Sequence, residues 1–244
     1  MPEPILDHRR NPSELESVLS VIRKTYETAF ERVSVGDTCL DILQISDMEK
    51  VLSRLVDAAG SGRTVRLPFW SRVWPAEVVI GHMIFSLSRA DGRRALEIGA
   101  GTGLSGLCAA SLGYQTTIGI TEHDALDFVR ANILRNGFED LARAQMINLA
   151  HTGQVEPADL VVGSEILKEL SGHEALLDFL VQAVKPDGTI LLATDAQRSA
   201  LAFVQKAAEH FTVQRTSVGI RDRDGDQGKR DYFIYRLVNK DFRP

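Results

Sequence analysis

The sequence predicts an α/β fold: a seven-stranded sheet with helices on both faces, preceded by an N-terminal helix and hairpin extension. Three observations predict it. From residue 95 onward, short apolar runs alternate with amphipathic segments at helical spacing, the pattern of parallel strands linked by helical crossovers. The last two strand-like runs, Phe211 to Ile220 and Asp231 to Leu237, are joined directly by a polar loop and close the sheet as a hairpin. A glycine-rich turn stands at the first strand-to-helix junction of the alternating part.

Taken in order, residues 1–64 read as the extension and residues 65–244 as the main domain. Asn11-Pro12-Ser13-Glu14 offers an N-cap, a proline at the first helical position and a glutamate at the third. Leu15, Val18, Leu19, Ile22, Tyr26 and Phe30 then follow helical spacing. Arg32 to Ile45 holds two strand-like runs around a Gly36-Asp37 turn. Ser46-Asp47-Met48-Glu49 is a second capping box, opening a helix whose inner face is Met48, Val51, Leu52, Leu55 and Val56 and which should stop near Gly60. Residues 63–74 are irregular and aromatic, and a helix is expected from Pro75 to about Ser88. Strands are predicted at 95–98, 116–120, 145–149, 160–162 and 189–193, with helices at 104–112, 123–136, 172–184 and 196–209.

Composition narrows the function classes. The chain has 244 residues, 44% apolar and 25% charged, with a net charge of −5 and no long run of Lys or Arg. A broad basic surface for nucleic acid is therefore not expected. Cys39 and Cys108, the only cysteines, have neither metal-ligand spacing nor the number for a disulfide framework, which suits a reducing, cytoplasmic setting. The longest near-apolar stretch, Val78 to Leu87, is about half of a membrane span. The six histidines are scattered. Asp222 to Asp226 resembles a calcium loop, but Phe233 stands where an EF-hand needs glutamate.

The chemistry concentrates at Glu97-Ile98-Gly99-Ala100-Gly101-Thr102-Gly103. Glycines at a strand-to-helix turn let the chain bend sharply and let a ligand approach the backbone. Helix-start amides can then face an anionic group. Glu122, 23 residues beyond Gly99, falls at the end of the second strand, where a carboxylate can accept hydrogen bonds from both ribose hydroxyls. A dinucleotide-binding reading would use Gly101, Gly103 and Gly106, but that starts the turn two residues after the strand ends at Ile98. Starting at Gly99 gives E-x-G-x-G-x-G, the Rossmann-like methyltransferase form, in which the strand-end Glu97 supports the methionyl end of S-adenosylmethionine.

Phe69-Trp70-Ser71-Arg72-Val73-Trp74-Pro75, the glycine loop and Asp159 to Leu167 occur in the order and spacing of a known group. Over residues 65–238 the chain resembles the seven-β-strand protein-lysine methyltransferases, which include the lysine methyltransferase of the electron-transfer flavoprotein β subunit. The resemblance implies a seven-stranded methyltransferase sheet, S-adenosylmethionine as cofactor and a lysine of a protein as acceptor. It implies that Trp74 flanks the cofactor, that Gly99, Ala100, Gly101 and Gly103 cradle it, and that Glu122 holds its ribose. His123 would border the adenosine, Leu149 would cover adenine where relatives place a tryptophan, and Ser164 would contact the cofactor from the fourth strand. Relatives carry Asp-x-x-Tyr or Asp-x-x-Phe next, an element tied to the target amine. Here those positions are Glu165, Ile166, Leu167 and Lys168, so the acid is kept, as the candidate catalytic residue Glu165, and the aromatic is not. A lysine side chain free in water titrates at about 10.4, and neutralising it at pH 7.4 costs about 4 kcal/mol. A nearby carboxylate orients the amine but also favours its charged form. Two other readings fit the same residues: a methyltransferase for a small amine or other metabolite, and a cofactor-binding scaffold that acts through partners.

Overall fold

The computed structural model describes residues 11–59, 67–87, 90–151, 153–168, 172–198, 200–220 and 230–240. The extension contains α1 (Pro12–Ile22), β1 (Thr28–Val35), β2 (Thr38–Ile45) and α2 (Met48–Ala59). A single 3-10 turn, Phe69–Ser71, then leads into α3 (Pro75–Phe85). The alternating part runs β3 (Arg94–Ile98), α4 (Leu104–Ser111), β4 (Gln115–Ile120), α5 (Ala125–Arg135), β5 (Ala142–Met146) and β6 (Ala158–Ser164). It continues with α6 (His173–Ala183), β7 (Val184–Asp195), α7 (Leu201–His210) and the closing pair β8 (Phe211–Ile220) and β9 (Arg230–Asn239).

The main sheet has seven strands in the order β5-β4-β3-β6-β7-β9-β8. The first five are parallel, and β9 pairs antiparallel with both β7 and β8. This is the expected sheet: five parallel strands closed by a hairpin. Strand order reverses between β3 and β6, which places a crevice beyond their C-terminal ends. Along β3 the pleat sends Leu96 and Ile98 into the core beneath α6 and α7, while Ala95 and Glu97 face α4. β6 is buried along nearly its whole length, as a central parallel strand with helices on both faces must be.

The extension packs on α5. Leu15, Val18, Leu19 and Ile22 of α1 join Leu43 and Ile45 of β2 and Phe128, Ala131 and Leu134 of α5 in one apolar cluster. The expected N-terminal helix ends at Ile22 and does not reach Phe30, which lies on β1. Tyr26 and Phe30 still pack against that cluster, so an apolar stripe of helical spacing is shared between a helix and a strand. The cap of α2 is Asp47 and not Ser46: the Lys50 amide donates to Asp47 Oδ1, while the Ser46 amide donates to the Glu27 carbonyl and continues the hairpin. Val56, expected on the inner face of α2, is exposed. β5 lies three residues before its predicted span because, as the sheet's outer strand, it is polar enough to conceal its period. The helix expected at 196–209 is α7, and it begins at Leu201. The proposed boundary at residue 64, the stop of α2 near Gly60 and the acidic loop at 222–226 lie outside the described residues.

Candidate functional site

A cavity of about 830 Å³ opens at the point where strand order reverses, within the size range of small-molecule sites. Its floor is the turn Gly99-Ala100-Gly101 after β3; Thr121 and Glu122 after β4 and Ser164 and Glu165 after β6 flank it. A smaller cavity, about 410 Å³, lies among Arg94, Gln115 and Ala158 at the opposite edge of the sheet, away from the glycine turn.

The turn requires glycine at two places. Gly99 has φ +65°, which a side chain rarely adopts, and a Cβ there would meet Ile166 at 2.8 Å. A Cβ on Gly101 would lie 2.9 Å from the Trp70 carbonyl oxygen, so the turn and the aromatic segment can touch only through backbone. The Ala100 amide donates to the Gly119 carbonyl across to β4. Gly103, also left-handed, precedes α4 as its N-cap.

Of the predicted site residues, Trp74, Gly99, Ala100, Gly101, Glu122, Leu149, Ser164 and Glu165 all line this one cavity. Trp74 stands at its mouth with Nε1 donating to the Phe69 carbonyl, and its ring meets Phe69 edge-on at 5.8 Å. Leu149 lies in the loop beyond β5 rather than on the strand, yet reaches the same wall. Glu97, Gly103 and His123 are outside the lining. The pleat turns Glu97 down toward α4, where its Oε2 accepts a 2.8 Å hydrogen bond from the Gly106 amide. His123 is exposed, its carbonyl accepting the Leu126 amide at the start of α5. The Lys168 backbone ends a 3-10 turn; its side chain lies outside the described residues.

Glu165 has φ +55°, the only non-glycine residue among those described with a positive φ. Its amide donates to the Ala193 carbonyl, its Oε1 accepts the Asp195 amide at 2.8 Å, and Oε2 pairs with Arg198 at 3.4 Å. The carboxylate is thus held at the junction of β6 and β7 while still facing the cavity.

Several lining residues escaped the sequence reading. Tyr26, from the extension, donates its hydroxyl to Asp124 at 2.6 Å and stacks edge-on against Trp70 and Phe128. Burial and the Asp124 carboxylate push its own pKa up to about 12. Glu77, in the first turn of α3, is buried yet lines the cavity, and its Oε2 accepts a hydrogen bond from the Thr102 hydroxyl at 2.7 Å. Burial, with the charge of Glu97 adding to it, holds Glu77 well above the ordinary carboxylate range; burial does the same to Glu97. One signal could have found Glu77, the single carboxylate within the run Pro75–Phe85, whose only other ionisable side chain is His82. Nothing in the sequence pairs Tyr26 with Asp124.

The donor set fits an adenosyl amino acid. A carboxylate stands at the end of β4, a bare backbone turn lies beneath, and Leu149 supplies an apolar wall. The sequence profile of the lysine methyltransferase family matches residues 69–211. A protein N-lysine methyltransferase, METTL21A of Danio rerio, is 30% identical over 71% of this chain and 79% of its own length. An EEF1A lysine methyltransferase 3 of Mus musculus is 30% identical over 73% and 76%. Among solved structures, a TehB-like S-adenosylmethionine-dependent methyltransferase from Corynebacterium glutamicum superposes with a TM-score of 0.53. It is 16% identical and covers 80% of this chain and 99% of that one, a likeness of fold.

Proposed function

Since the chain belongs to the lysine methyltransferase family, we propose that it carries the methyl group of S-adenosylmethionine to a lysine side chain of a partner protein. One observation carries the choice of a protein acceptor. The mouth of the cavity is formed by the aromatic pair Phe69 and Trp74, which remain 51% and 40% exposed. Large aromatic rings left in water at the rim of a site suit a surface that docks there.

The bound cofactor supplies an already activated methyl group, so the work of this chain is alignment and the exclusion of water. Gly99, Ala100 and Gly101 form the bed, Glu122 accepts from the ribose hydroxyls, Leu149 covers the adenine, and Trp74 closes one side. Glu97 acts from beneath, fixing the first turn of α4 against β3 through the Gly106 amide. Glu165, at the tip of β6, orients the incoming amine; Arg198 tempers its charge and so lessens its tendency to keep that amine protonated. The two free thiols, Cys39 exposed and Cys108 buried, support a reducing, cytoplasmic setting. No described helix is long and apolar enough to cross a membrane.

The test is to incubate the chain with labelled S-adenosylmethionine and cell lysate, then separate protein from small molecules. Label on protein lysines, located by mass spectrometry, is the expected result. Glu165→Ala should lose most of that label while retaining affinity for S-adenosylhomocysteine. Label confined to metabolites would move the assignment to a small-molecule acceptor.

A further inference from the structure

Glu77 is a carboxylate that burial alone would exclude. It is 2% exposed, sits in the first turn of α3 and borders the ligand cavity at the Gly101 side of the turn. Its Oε1 lies 3.5 Å from the place a Gly101 Cβ would occupy, and its Oε2 is engaged by Thr102. The groups that face it are the Glu97 carboxylate from β3, the Cys108 thiol from α4, the Thr102 hydroxyl and the Trp74 amide. No basic side chain among the described residues offsets either glutamate. Two buried carboxylates without a cation are costly as anions, and a ligand that brings a cation relieves that cost.

The direction in which the ligand lies follows from the other end of the cavity. Glu122, after β4, takes the ribose, so the amino-acid end of the donor points away from β4, toward Gly101 and α3. We propose that Glu77 is the acceptor for the positively charged amino group at the methionyl end of the methyl donor. This rests on the cofactor reading above and names a residue for one of its charges. It also separates the two glutamates by role: Glu97 braces the loop from below, and Glu77 faces the ligand. In the ligand-free chain the raised affinity of this pair for protons keeps Glu77 mostly neutral; binding of the ammonium makes the carboxylate favourable and expels the proton.

Two ligands isolate the claim. S-adenosylhomocysteine carries the ammonium, whereas 5′-methylthioadenosine has the adenosine and thioether without an amino-acid end. Calorimetry at neutral pH in two buffers of different ionisation enthalpy should show proton release with the first ligand and none with the second. That count needs no variant. Glu77→Gln, close to isosteric, should weaken S-adenosylhomocysteine about tenfold to a hundredfold, as expected for loss of a charged hydrogen bond. It should leave 5′-methylthioadenosine within about twofold and abolish the proton release. Equal weakening of both ligands would assign Glu77 to support of the loop and overturn the proposal, as would no weakening of either. Absence of proton release from the parent chain would also overturn it. Failure of the parent to bind S-adenosylhomocysteine at all would instead overturn the cofactor reading on which it rests.

Discussion

At the tip of β4, Glu122 faces the cavity while its carbonyl accepts the Ala125 amide at the threshold of α5. The carbonyl is thus placed for the start of α5 and the carboxylate for a ligand. Glu122→Ala should weaken S-adenosylhomocysteine by at least tenfold, since each hydrogen bond to a charged acceptor is worth about 1.5–3 kcal/mol. Isothermal titration checks this, with an unchanged unfolding midpoint as the control; parent-like affinity would remove Glu122 from the ribose. Glu165 combines the two duties that Glu122 keeps apart. A left-handed glutamate costs on the order of 1–3 kcal/mol. It is retained because its amide, Oε1 and Oε2 are each engaged by the end of β7 and the residues after it.

Between elements, the most consequential link is Asn132 on α5. Its side chain is fully buried, accepts the Leu43 amide of β2 at 2.7 Å and donates to the Thr102 carbonyl of the glycine loop at 2.9 Å. One amide therefore ties the extension, a crossover helix and the ligand bed together. Nearby, Arg135 and Asn136 grip Asp41 of the same strand. Asn132→Ala should destabilise the protein by about 1–3 kcal/mol for each buried group left unpaired. Urea unfolding measures that loss, and a fall in ligand affinity larger than the stability change explains would show that the loop has shifted as well. These ties also explain what the sequence could and could not convey. The alternation from β3 to α7, the closing hairpin and the E-x-G-x-G-x-G turn are local patterns, and all were legible. The strand end that presents Ser164 and Glu165 was legible for the same reason. Tyr26 reaching Asp124, Leu55 reaching the cavity and Asn132 bridging two backbones are pairings across long stretches of chain. No periodicity encodes them. The edge strand β5 was misplaced because water, not a neighbour, faces much of it.

The molecule as a whole should show its buried acids in its response to pH. Glu77 and Glu97 both bind protons more tightly folded than unfolded. Their stabilising contribution is complete below the ordinary glutamate value of 4.5 and is lost as pH rises through their folded values. Asp159 acts in the opposite sense. Burial would raise it, but the Arg94 amide and the Lys185 and Arg93 side chains outweigh that and lower it. Its contribution is present above 3.8 and disappears as pH falls below that value, so the two limbs do not overlap. The ligand-free chain should therefore lose thermal stability between about pH 5 and pH 8, and Glu77→Gln should flatten that slope. Differential scanning calorimetry of the two proteins decides it; identical slopes would mean that Glu77 does not titrate in that window.

The position of β9 sets a timetable for synthesis. Every described residue that lines the cavity lies between Tyr26 and Leu176, yet the strand that pairs with both β7 and β8 begins at Arg230. A ribosome delivers all of these residues before the sheet that supports them can be completed. During that interval β7 offers an open edge, flanked by Ile190 and Leu192, to any extended chain it meets. The edge of β7 stays open after the cavity residues have been made and closes only when β9 pairs with it.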